Sequence, residues 1–118
     1  MHKKSISHRD IKLENIIISK TEPRTIKLID FGFAVFSKKP LKLQCGTSLY
    51  MSPEIMTKSD YFGWQVDMWT AGILFYVLLT GKFPFIAHTD RERTRKLQKG
   101  IYSVPREFIS ADAERVIS

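Results

Sequence analysis

The sequence predicts an α+β fold over residues 1–118: a short β-hairpin near the N-terminus, a long irregular segment, then mainly helix. Three observations predict it. Two apolar, β-branched runs, Ile16 to Ser19 and Ile26 to Ile29, flank Lys20-Thr21-Glu22-Pro23-Arg24, whose proline and charges suit a solvated turn. The stretch Val66 to Leu79 is apolar nearly all round, as in a helix buried within a core. Beyond it, Asp90 to Lys99 and Ser110 onward have helical composition, the first stopped by Gly100 and the second opened by a serine cap.

Taken in order, Met1 to Ser7 is a basic stub without periodicity. Ile16, Ile17 and Ile18 make a stiff strand because branching at Cβ restricts their rotamers. Residues 30 to 54 form one long non-periodic segment, and a loop of that length inside a compact domain is usually functional. Pro53 suits the first turn of a helix, where its missing N–H costs nothing. Residues 57 to 64 are polar and aromatic, with Gly63 read as a break. In the helix that follows, Asp67 is the informative residue, since a carboxylate at the start of a buried helix needs partners. Leu74 and Leu78, four apart, share a face expected to pack beneath Ile17. Gly81 ends that helix and Phe83-Pro84-Phe85 makes a tight apolar turn.

Size and charge narrow the function. A chain of 118 residues is one domain at most. Its net charge of +7 fits a solvated surface or, more sharply, acidic partners, ATP or nucleic acid, yet it lacks the basic and aromatic interleaving of a nucleic-acid module. Cys45 is the only cysteine, so no internal disulfide forms, as suits a reducing compartment. No apolar run follows the N-terminal charges as in a signal peptide. The greasiest stretch is about 14 residues, too short for a bilayer. The expectation is an intracellular, cytoplasmic location, without nucleic-acid or membrane partners and with the oligomeric state open.

The chemistry lies at the N-terminal end. His8-Arg9-Asp10-Ile11-Lys12-Leu13-Glu14-Asn15 precedes the first strand, and Asp30-Phe31-Gly32 follows the second. The hairpin between them is expected to bring Asp10, Asn15 and Asp30 towards one end. Two carboxylates and a carboxamide are hard oxygen ligands suited to magnesium, with Lys12 nearby for phosphate oxygens.

The octet fits H-R-D-x-x-x-x-N, and together with D-F-G the chain resembles the eukaryotic protein kinase family. The segment ending Gly46-Thr47-Ser48-Leu49-Tyr50-Met51-Ser52-Pro53-Glu54 resembles the close of an activation segment, with Ser52 where alanine is usual. The resemblance implies a C-terminal-lobe fragment of a kinase domain, without the N-terminal lobe, that uses ATP and Mg²⁺. It implies Asp10 as the group that accepts or orients the substrate hydroxyl, Lys12 at the transferring phosphoryl, and Asn15 and Asp30 as magnesium ligands. It places Ile17 under the adenine ring, stacks His8 with Phe31, and hangs the catalytic-loop backbone on Asp67. Thr47, bonded near Asp10 and Lys12, and Lys12 itself point to serine or threonine in a protein substrate. Lys99-Gly100-x-Tyr102-x-x-Pro105 resembles the calcium/calmodulin-dependent and AMP-activated group.

Two departures matter. Relatives with an arginine like Arg9 often place a phosphorylatable residue where this chain has Leu43; Ser37 as a poor substitute, Thr47 or Ser48, or no loop phosphorylation are the alternatives, and the last is the expectation. The sequence also contains no G-x-G-x-x-G loop and no V-A-I-K lysine. The arginine that normally pairs with a residue like Glu54 is missing, as is the long helix that normally covers Val66 to Leu79, so exposed apolar surface is expected. The 118 residues alone are therefore expected to be a poor catalyst. The rival reading is a non-catalytic or pseudokinase-like fragment that binds partners, or a truncated chain without an independent role.

Overall fold

The hairpin forms as expected, from β2 (Ile16–Ile18) and β3 (Ile26–Leu28), paired antiparallel with Ile16 opposite Leu28 and Ile18 opposite Ile26. The computed structural model describes residues 1–105 and 109–117. Ser19 and Ile29 fall just outside the strands, although Ser19 N–H still donates to Thr25 O across the turn. A second sheet was not expected. β1 (Ile6–Ser7) pairs with β4 (Val35–Phe36), joining the N-terminal stub to the long segment. Strands this short leave no alternation to read.

Four helices follow: α1 (Pro53–Met56), α2 (Gly63–Thr80), α3 (Asp90–Lys99) and α4 (Ala111–Ile117). Proline opens α1, and Thr89 caps α3 by accepting the Glu92 N–H. Ser110 caps α4 through its hydroxyl, which accepts the Ala113 N–H. Ser118, expected in this last helix, lies outside the described residues.

Gly63 is not a break but the first residue of α2. It is buried, and a Cβ there would lie 2.6 Å from the Ser7 side chain, so glycine permits the close approach of α2 to β1. At the other end Gly81 adopts φ 70 and donates to Val77 O. No helix among the described residues is long and apolar enough to cross a membrane.

The core gathers Tyr50, Ile73, Leu74, Phe85 and Leu97, with Ile11, Ile16 and Trp69 packed against them. Trp69 and Phe85 stack with centroids 5.8 Å apart, and Phe83 meets Tyr50 edge-on. The Phe83-Pro84-Phe85 turn thus tucks its rings against α2. Only part of α2 is covered, however. Trp64, Met68, Phe75 and Leu78 recur on one exposed face. Leu78 is 60% exposed and Ile17 45%, so the expected packing of Leu78 beneath Ile17 does not occur. Leu74 alone of the pair enters the core, and it is Ile16 that packs there. Among the described residues, Ser52 Oγ, Glu54 Oε2 and Trp69 Nε1 are buried without a hydrogen-bond partner.

Candidate functional site

The site is positioned by a carboxylate behind it. Asp67, near the start of α2, is fully buried. Its Oδ2 accepts the backbone N–H of His8 at 2.8 Å, and its Oδ1 that of Arg9 at 2.7 Å. These bonds hold Arg9 at φ 66, a left-handed conformation that a non-glycine residue keeps only when its surroundings enforce it. His2 Nε2 supplies a third contact, 2.8 Å from Asp67 Oδ2. That partner was missed in the sequence; the signal was Asp67's need for partners, beside a histidine in the stub.

The turned backbone presents Asp10. Its neighbours close a triangle: Lys12 Nζ lies 3.1 Å from Asp10 Oδ2 and donates to Thr47 Oγ1 at 2.9 Å, while Thr47 donates to Asp10 Oδ1 at 2.8 Å. Asn15, buried in a 3-10 turn over Leu13–Asn15, donates its Nδ2 to Asp10 O at 2.8 Å and reaches Oδ2 at 3.3 Å. Burial alone would push the Asp10 carboxyl up. The bonds from Thr47 and Lys12, the Lys12 charge and the Asn15 amide outweigh it and hold the group below its ordinary 3.8. Asp10 is therefore ionised at neutral pH and able to accept hydrogen bonds.

Thr47 is brought in by Gly46, whose φ of 114 allows a close pass over the Arg9 backbone; a Cβ there would lie 3.0 Å from Arg9 O. The incoming segment is tied to Arg9 as well. The guanidinium donates through Nε to Phe33 O at 2.7 Å and through Nη1 to the Tyr61 hydroxyl at 3.1 Å. Tyr61 in turn donates to Leu43 O at 2.6 Å. Burial raises the Tyr61 pKa more than the bond and charge of Arg9 lower it, and Cys45 adds to the rise, so the phenol keeps its proton. Nothing in residues 57 to 64 singled out Tyr61 from the sequence.

Asp30 and Ile17 stand apart from the triangle. The backbone brings Asp30 close, since Ile29 N–H donates to Asn15 O at 2.9 Å. Its carboxylate instead turns to its own chain, where Oδ1 accepts the Gly32 N–H at 3.1 Å, with φ 58 at Asp30. Ile17 lies half-exposed on β2. His8 and Phe31 do meet, centroids 4.9 Å apart and edge-on, while His8 Nε2 lies 3.0 Å from Ile29 O. The two motifs thus meet through the His8–Phe31 ring contact, with Ile29, just before Asp30, bonded to both Asn15 and His8.

Among the described residues, no three His, Cys, Asp or Glu side chains cluster as a metal site. The oxygens of Asn15 and Asp30 still fit magnesium by type. The Asn15 amide is oriented through its nitrogen, which leaves its carbonyl oxygen free, and the exposed Asp30 carboxylate has an oxygen outside its turn bond.

Comparison with known proteins decides the family. The model of the protein kinase domain matches residues 1–116. The chain belongs to the protein kinase domain family. It is 38% identical over 120 residues to protein kinase kin1 of Schizosaccharomyces pombe, an alignment covering 100% of the chain and 13% of that protein. It is 39% identical over 107 residues to serine/threonine-protein kinase kin-29 of Caenorhabditis briggsae, covering 89% of the chain and 13% of the relative. Human serine/threonine-protein kinase DCLK3 is 47% identical over 87 residues, 72% of the chain and 13% of that protein. The chain thus spans about an eighth of the length of these curated relatives. Its small α+β architecture, with short antiparallel strands and helices, is consistent with that family.

Proposed function

We propose that the chain is the catalytic-loop and activation-segment part of a serine/threonine protein kinase, the C-terminal lobe of its kinase domain. The observation that carries this reading is the Asp10–Lys12–Thr47 triangle, buttressed by Asn15. Bound ATP would supply the phosphoryl group, and magnesium held by Asn15 and Asp30 would offset the charge of its phosphates. Asp10 orients the substrate hydroxyl and takes its proton as the oxygen bonds to phosphorus and the bond to the leaving ADP oxygen breaks. Lys12 faces the transferring phosphoryl, where negative charge gathers. Thr47 holds both in register and favours a serine or threonine hydroxyl. Ile17 forms part of the adenine floor. The spacing from Lys99 to Pro105 favours a place in the calcium/calmodulin-dependent and AMP-activated group.

Arg9 already ties the segment down without a phosphate: Phe33 O takes its Nε–H, the Tyr61 hydroxyl takes one Nη1–H, and Leu43 enters through its backbone carbonyl. We place the segment among those ordered without phosphorylation.

The test compares Asp10→Asn with Asp30→Asn in the natural gene product, measuring phosphate transfer to serine-, threonine- and tyrosine-containing peptides and magnesium-dependent ATP binding. Both variants should lose turnover. ATP affinity should fall with Asp30→Asn and hold within about twofold with Asp10→Asn. Transfer to tyrosine alone would overturn the specificity, and undiminished turnover in Asp10→Asn would overturn the catalytic assignment. No transfer by the unaltered gene product would favour the partner-binding rival.

A further inference from the structure

α3 carries its charges unevenly. Both of its carboxylates are engaged within the helix, Asp90 Oδ1 lying 3.4 Å from Arg93 Nη2 and Glu92 Oε1 3.0 Å from Lys96 Nζ. The two cations they meet are also tied to the rest of the chain. Arg93 Nη2 donates to Ser48 Oγ at 2.8 Å, and Lys96 Nζ to Ile86 O at 2.8 Å. Three cations are left over: Arg91, Arg95 and Lys99. They are exposed, and none makes an ion pair with a described residue. Spaced four apart, they form one stripe along the outer face.

Such a stripe is unfavourable to the helix that bears it, because like charges four apart repel. A merely solvated face intersperses both signs. Here the acids sit elsewhere on the helix, and nothing else in the described chain answers the stripe. We propose that Arg91, Arg95 and Lys99 form a docking site for an acidic protein segment lying extended along α3.

The spacing matches that occupant. Four residues of helix advance about 6 Å. An extended strand returns to the same face every two residues, about 6.6 Å. Carboxylates at every second position of an extended peptide would therefore meet the three cations in turn. A nucleic acid fits less well, since single strands are held by aromatic stacking as well as charge, and Asp90–Lys99 contains no aromatic residue. This proposal stands independently of the kinase reading, because it needs only the helix and its charges.

The probe is a fluorescent seven-residue peptide alternating serine and glutamate, titrated with the 118-residue chain at low salt and followed by anisotropy. Replacing Arg91, Arg95 and Lys99 together by glutamine should weaken binding about tenfold. The control, Lys20→Gln with Arg24→Gln and Lys27→Gln, removes the same charge from the hairpin and should change binding less than about twofold. A peptide of the same composition with its glutamates contiguous should bind more weakly. Circular dichroism reports whether each variant keeps its helix, and Arg91→Lys with Arg95→Lys serves as a second, charge-preserving variant expected to retain binding. Equal losses in stripe and hairpin variants, equal binding of both peptides, or no binding by the unaltered chain would overturn the proposal. Displacement of the peptide by a single-stranded oligonucleotide of equal charge at lower concentration would also overturn it.

Discussion

The hydroxyl of Tyr61 lies 3.1 Å from Arg9 Nη1 and gives its own proton to the Leu43 carbonyl at 2.6 Å, joining the loop at Arg9 to the segment around Leu43 through one neutral phenol. Tyr61→Phe keeps the ring in its buried place and removes both bonds. The Leu41–Tyr61 backbone bridge survives, since it needs no side chain. Hydrogen exchange should therefore quicken around residues 42 to 47 while α2 and α3 keep their protection. Unchanged exchange in that segment would show that Tyr61 packs there without latching it.

Asp67→Ala should act further from its own position than a typical core change. It strips acceptors from the His8 and Arg9 N–H groups and from His2. Bonds to a charged group contribute roughly 1.5–3 kcal/mol each, and buried donors left without a partner cost more. A loss of roughly 3 kcal/mol or more in urea unfolding is expected, with residues 8 to 10 the first to lose protection. A loss below about 1 kcal/mol would mean that Asp67 is an ordinary helix-start residue.

Ser52 points the other way. It is buried, and its Oγ has no partner among the described residues. An unsatisfied buried hydroxyl carries its full desolvation penalty, so Ser52→Ala should stabilise the chain by about 1 kcal/mol. Destabilisation on thermal or urea unfolding would reveal a bond that this hydroxyl makes.

Asp10 should give acid stability a local component. Its folded pKa lies below the ordinary 3.8, so its contribution is fully present above that value and is lost as pH falls through the folded one. Protonation would weaken the links to Lys12 and Thr47 together. A carboxyl NMR titration should place the Asp10 midpoint below 3.8, with exchange near Thr47 rising over the same interval. A midpoint above 3.8 would show that burial outweighs the hydrogen bonds.

By itself the sequence determined the parts whose information is local. The Asp10, Lys12 and Asn15 spacing, the β2–β3 hairpin around Pro23, and the caps at Ser110, Gly81 and Gly100 rest on neighbours a few residues apart. Turn chemistry, branching at Cβ and capping act over that range. The apolar character of α2 was legible for the same reason, and exposed surface on it was expected from the missing covering helix; which residues form that face was not legible, because composition carries no record of which side a neighbour covers. Only the tertiary structure decided that His2 reaches Asp67, 65 positions away, and that Tyr61 bridges Arg9 to Leu43. It likewise turned the Asp30 carboxylate onto Gly32, left Ser52 unpaired and made Gly63 a contact surface for Ser7. A buried polar atom bonds to whatever the packed chain places within about 3 Å, and separation along the sequence does not enter that choice.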